Sequence, residues 1–162
     1  MREFRVGIGV DAHALEDGVP LVLGGLRFEY PRGLAGHSDG DVIVHALIDA
    51  ILGAANLGDI GTLFPSGDER WRGSSSVDLL RTAYARVREA GWELVNADCV
   101  LIGEEPRIGS RRGEMAEELA TALGVDPARV AVRATTTDRL GFTGRGDGLA
   151  AQAVALVEAR ET

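Results

Sequence analysis

The chain has a single cysteine, Cys99, among its 162 residues. That count excludes an intrachain disulfide and a zinc site built on thiolates. Cys99 lies in an apolar stretch, where a buried and inert thiol is the expected role. Long apolar runs are missing too. No segment approaches the roughly 20 residues that span a bilayer, and Met1 to Val10 lacks the apolar region of a secretory signal. The expectation is a soluble, cytoplasmic protein with no membrane partner. Positive charge is scarce: 17 Lys+Arg against 25 Asp+Glu leave a formal net charge of −8, and no basic cluster offers a track for a phosphate backbone. Nucleic acid is not an expected partner. A phosphorylated ligand on so acidic a protein must be neutralised locally, by metal, backbone N–H groups or a placed arginine. Repeats, low-complexity tracts and linkers are absent, so residues 1–162 read as one globular domain with a buried core.

What is present reads as alternating strands and helices. Phe4, Val6, Ile8 and Val10 alternate with Arg5, Gly7 and Gly9, the period of a strand with one buried face. Leu21 to Leu23 and Leu26 to Tyr30 flank Gly24-Gly25, a hairpin signal because glycine tolerates the positive φ of tight turns. Ser38 and Asp41 resemble a helix N-terminal box ahead of the apolar run Val42 to Ala55, with Gly58 as the stop. Asp41, His45 and Asp49 fall at i, i+4 and i+8 on that helix and form one polar stripe. Asn56 to Ser76 reads as a long loop. A second helix ends at Gly91, Trp92 to Ile102 reads as a strand, a third helix covers Arg112 to Leu123, and Val130 to Thr135 is again strand-like. Leu149 to Ala159 suits either a helix or a buried strand. Three helices mixed with hairpin-like strands favour an α+β layer fold.

Several groups have the residue types that chemistry needs. Asp11 and His13 share one face of a strand end, and His45 is the natural third ligand for a zinc ion whose fourth position stays open. Each has a plain structural reading, since D-x-H triplets arise by chance and a helical histidine is often a hydrogen-bonded core residue. The segment Ala35 to Asp41 opens the helix, where free N–H groups favour an anion; the plain reading is that Ser38 only caps it. Thr135, Thr136 and Thr137, followed by the glycine-rich run Gly141 to Gly148, can approach phosphate closely, although the Lys-Ser/Thr ending of a P-loop is absent.

Taken together, VDAHAL, GLAGHSDGDVIVHALIDAILGAANLGDIGTLFP and ATTTDRLGFTGRGDG resemble the signatures of the 2-C-methyl-D-erythritol 2,4-cyclodiphosphate synthases, over about Arg5 to Ala159. The resemblance implies a stand-alone lyase of the non-mevalonate isoprenoid pathway, which cyclises 4-diphosphocytidyl-2-C-methyl-D-erythritol 2-phosphate and releases CMP. It implies zinc on Asp11, His13 and His45, and magnesium or manganese on Asp138, where other members carry Glu. His37 and Thr136 match transition-state stabilisers, with Ser38 beside His37. Thr135, Thr137, Phe142 and Arg145 match contacts to cytidine diphosphate, and Gly103 to Gly109, including Pro106 and Ile108, match a cytosine-reading loop. Asp59, Ile60, Gly61, Phe64 and Asp68 match a flap over the methylerythritol end. The implied fold is α+β, a four-stranded sheet with helices on one face and a β-hairpin extension, assembled as a homotrimer with active sites between subunits. A zinc-dependent hydrolase of nucleotides or phosphate esters is the alternative reading of the same ligands.

Overall fold

In the computed structural model, which describes residues 1–161, the first predicted strand runs on past Val10 as β1 (Phe4–Asp17). It pairs antiparallel with β7 (Gly148–Ala159), so the ambiguous C-terminal segment is a strand. On its other side β7 pairs antiparallel with β5 (Trp92–Ile102), and β5 pairs parallel with β6 (Val130–Thr135). The sheet has one strand more than the four that the resemblance implies. A fifth, β4 (Arg32–Leu34), pairs with the far end of β1 and makes a mixed five-stranded sheet in the order β4-β1-β7-β5-β6. Three residues next to Pro31 are too few to show a period-2 pattern, which is why the sequence hides this strand.

The alternation along β1 is present, but its sides are the reverse of the expected ones. Gly7 and Gly9 face the interior, whereas Phe4, Val6, Ile8 and Val10 are 53%, 68%, 60% and 63% exposed. The cause is helix α1 (Val42–Ala54), which lies directly on the glycine row. A Cβ on Gly9 would fall 1.9 Å from the carbonyl oxygen of Ala46, and one on Gly7 2.0 Å from that of Ala50. Ala153 and Ala155, the β7 partners of Gly9 and Gly7, are buried under the same helix. Only the smallest residues permit so close an approach, so the large apolar side chains of β1 point to the open face of the sheet.

Helix α1 buries residues on all sides, as a core helix must. Its cap is Asp41, whose side chain accepts from the N–H of Val44; Ser38 does not cap it, contrary to the plain reading. It ends at Ala54, a turn before Gly58, and Asn56 takes the left-handed conformation at φ 57°. The hairpin of β2 (Leu21–Leu23) and β3 (Leu26–Phe28) turns at Gly24 and Gly25 with φ 58° and 79°. The expected loop from Asn56 to Ser76 contains α2 (Ile60–Leu63) and a 3-10 turn at Glu69–Trp71. Helices α3 (Ser76–Glu89) and α4 (Arg112–Leu123) close the layer, α3 against α1 and α4 against β6. A last short helix, α5 (Gly141–Gly144), precedes β7.

Candidate active site

The polar stripe on α1 has three separate partners. Asp41, fully buried, accepts the N–H groups of Gly24 and Gly25 at 3.0 and 2.7 Å and so fastens the hairpin turn to the helix start. Burial, with the nearby charge of Asp39, pushes its carboxyl up to about 6 in spite of those donors. This carboxyl fills the α1 N-terminus, so the anion site expected there is taken by the protein itself. Asp49, one turn past His45, accepts the N–H of Ile60 at 2.7 Å and anchors the start of α2. Between them His45 points at β1.

There Asp11, His13 and His45 converge. One ligand atom from each lies within 4.8 Å of the others, the only such group of His, Cys, Asp and Glu among the described residues. Asp11 Oδ2 is 2.9 Å from His13 Nε2 and 3.1 Å from His45 Nδ1, and the two imidazole nitrogens are 3.3 Å apart. His13 Nδ1 donates to the carbonyl of Ala35 at 2.5 Å, so its Nε2 carries the lone pair whenever the ring is neutral. A carboxylate oxygen and lone pairs crowded this closely repel unless a proton or a cation lies between them. Protonation is one answer: the hydrogen bond to Asp11 raises the affinity of His13 for a proton against the effect of burial. Burial opposes the charge on Asp11, yet hydrogen bonds from His13 and His45 outweigh it and hold its carboxyl below the ordinary value. A divalent ion is the other answer, and one carboxylate with two imidazoles is a donor set that zinc accepts with a coordination position to spare.

The three ligands lie at the edge of a cavity of about 450 Å³, lined also by His37, Ser38, Ile60, Gly61, Phe64, Ser66, Trp71 and Leu79. His37 Nε2 donates to the carbonyl of Asp68 at 3.2 Å. Phe64 packs edge-on against Trp71, with ring centroids 4.9 Å apart, and forms part of the wall. Asp59 and Asp68 do not present free carboxylates: Asp59 caps α2 through Thr62, and Asp68 holds Arg70. A second cavity of about 270 Å³ is lined by Gly103, Glu104, Pro106, Ile108, Arg112, Thr135 and Thr136. Thr137 is tied to Leu140 and Thr143, and Arg145 to Asp147. Asp138 is exposed, at φ 51°, and among the described residues hydrogen-bonds only to Thr136. Asp138, Phe142 and Arg145 line neither cavity. Thus the residues singled out in the sequence do not share one cavity within this chain.

Sequence reading missed Asp39, Ser76, Trp71 and the Ala35 carbonyl. Ser76 sits in the run Ser74-Ser75-Ser76, where a helix start is the only visible signal. A main-chain acceptor such as Ala35 leaves none.

A mixed sheet that supplies a carboxylate and one imidazole, with a helix packed on it that supplies a second imidazole to the same cavity, defines an α+β domain with a candidate three-ligand metal site. More particularly, residues 4–158 match the YgbB family, and the chain belongs to that family. It is 58% identical over 161 residues to the 2-C-methyl-D-erythritol 2,4-cyclodiphosphate synthase of Rubrobacter xylanophilus, covering 98% of this chain and 97% of that one. Among solved structures, the bifunctional IspDF of Campylobacter jejuni superimposes with a TM-score of 0.96 at 40% identity, over 99% of this chain and 44% of that one. A 2C-methyl-D-erythritol-2,4-cyclodiphosphate synthase in a CDP-bound form superimposes with a TM-score of 0.86 at 40% identity, over 94% of this chain and 99% of that one.

Proposed function

We propose that the protein converts 4-diphosphocytidyl-2-C-methyl-D-erythritol 2-phosphate to 2-C-methyl-D-erythritol 2,4-cyclodiphosphate and CMP, as a phosphorus–oxygen lyase of isoprenoid precursor synthesis. The observation that carries this reading is the convergence of Asp11, His13 and His45 at the edge of a cavity large enough for a phosphorylated sugar alcohol. An oxygen of the 2-phosphate attacks the β-phosphorus, the new P–O bond closes the ring, and the electron pair of the broken bond leaves on the phosphate of CMP. Nucleophile and electrophile belong to one molecule, so the protein's tasks are to bend the chain and to offset the repulsion of its phosphates. Zinc on Asp11, His13 and His45 would supply Lewis-acid polarisation and positive charge. His37 and Ser38, on the wall beside those ligands, and Thr136 in the second cavity donate to phosphate oxygens. Ile60, Gly61 and Phe64 enclose the methylerythritol end, with Asp59 and Asp68 stiffening that flap. Gly103, Pro106 and Ile108 read the cytosine, and Thr135, Thr137, Phe142 and Arg145 hold the diphosphate side. Asp138 would hold magnesium or manganese, which would supply positive charge against the diphosphate.

The two cavities are brought together in a homotrimer, each active site taking the zinc group from one subunit and the threonine group from its neighbour. Two features support this assembly: the separation of the two groups on one protomer, and the open apolar face of Phe4, Val6, Ile8, Val10 and Val154. The test is to incubate pure protein with the diphosphocytidyl substrate, with and without chelator, and to identify products by mass. Cyclic diphosphate and CMP, lost on chelation, are expected. Linear phosphate products would replace this reading with the hydrolase.

A further inference from the structure

Behind His45, on the side away from Asp11, lie two polar side chains, Ser76 and Asp39, that the proposed substrate contacts do not use. His45 Nε2 is 2.8 Å from Ser76 Oγ and 3.0 Å from Ser38 Oγ. Ser76 is fully buried at the start of α3, and its hydroxyl donates to Asp39 Oδ1. Asp39 is held in turn by two backbone donors: its Oδ2 accepts the N–H of Ser76 at 3.0 Å, and its Oδ1 that of Asp41 at 3.2 Å.

The direction of these bonds follows by elimination. An ionised carboxylate only accepts, so the single hydroxyl proton of Ser76 goes to Asp39. Ser76 Oγ then has only lone pairs to offer His45, and Nε2 must carry the ring proton. In the neutral ring the lone pair of His45 is thereby placed on Nδ1, the atom that faces Asp11 and His13. We propose that Ser76 and Asp39 are positioning residues that fix the tautomer and ring plane of His45 for metal binding. The inference rests on the zinc reading of the Asp11, His13 and His45 group.

Asp39→Asn is the sharper of two variants, because it keeps size and shape. Its amide oxygen is needed at the shorter backbone contact, from Ser76 N–H, which turns the NH₂ toward Ser76 Oγ. The hydroxyl then donates to His45 Nε2, 2.8 Å away, in preference to Ser38 Oγ at 3.4 Å, which moves the ring proton to Nδ1 and removes the ligand lone pair. Ser76→Ala leaves Nε2 with Ser38 as its remaining partner. Zinc affinity of the whole protein is measured by competition with a chromophoric chelator, and the ring nitrogens are followed in long-range ¹H–¹⁵N spectra of protein labelled in histidine. Loss of an outer partner of a metal-ligating histidine costs roughly 10- to 100-fold in affinity. Both variants are expected to fall in that range with unchanged thermal unfolding, and Asp39→Asn to shift the His45 signals toward the Nδ1–H tautomer. Zinc affinities within twofold of wild type, or an unaltered His45 tautomer in Asp39→Asn, would overturn the positioning role. Wild-type protein that fails to bind zinc would instead remove the metal reading beneath it.

Discussion

Replacing Gly9 by alanine tests the link between the packing of the sheet and the geometry of the site. The added methyl would lie 1.9 Å from the carbonyl oxygen of Ala46 and 2.9 Å from the backbone nitrogen of Ala50. Both obstacles are main chain, so no rotamer change relieves them; β1 and α1 must separate by more than about 1 Å. Overpacking of this kind costs about 1–3 kcal/mol, and a rigid helix puts the figure at the upper end. Ala46 follows His45, and Gly9 lies two residues before Asp11 on the same strand, so the separation pulls His45 away from Asp11 and His13. Metal–ligand distances hold within about 0.2 Å, and a displacement of about 1 Å is expected to weaken zinc by roughly 100-fold, or about 2.7 kcal/mol. Urea unfolding measures the first effect and chelator competition the second. Gly53→Ala is the control: it lies on an exposed position of α1, and outside the helix the nearest obstacle to the new Cβ is Ile8 O at 4.0 Å. There helix propensity improves by up to about 1 kcal/mol and zinc binding stays as it was. A Gly9→Ala protein with wild-type zinc affinity and an unmoved urea midpoint would refute the argument.

Three further outcomes are expected. His45→Ala removes zinc binding and turnover while circular dichroism still reports a folded protein; full activity in metal-depleted variant protein would dispose of the mechanism. Ile8→Asp puts a charge on the open apolar face without touching the α1 side, so light scattering should give the mass of a monomer and activity should fall, and an intact trimer would count against that face as the interface. Cys99 is fully buried and desolvation pushes its thiol up to about 12, so at pH 8 only about 1 in 10⁴ molecules carries a thiolate. Alkylation should therefore proceed only as fast as the protein opens, accelerating with urea, and rapid labelling of the folded protein would contradict this burial.

How much was legible in the sequence depends on the range of the interaction that sets each feature. Local rules sufficed for the hairpin at Gly24-Gly25, for α3 and α4 with their glycine stops at Gly91 and Gly124, and for β5 and β6. They sufficed as well for the residue types of the zinc group, because an Asp-x-His pair on a strand and a histidine on an apolar helix need only period 2 and period 3.6 to be recognised. Alternation cannot tell which side of β1 is buried, since that is decided by which row lets α1 approach. The glycines gave way to the helix, and the larger residues were left outside. In the same way the box rule made Ser38 the cap and put Asp41 behind it, whereas the structure has Asp41 as the cap, with its carboxyl also holding the hairpin N–H groups. The role of Ser76 depends on α3 lying against α1, which no window of sequence contains. Composition and spacing thus determined what the chain could make and which side chains were available to a metal. Only tertiary packing decided which lone pairs meet, because their meeting depends on the approach of segments more than 30 residues apart in the chain.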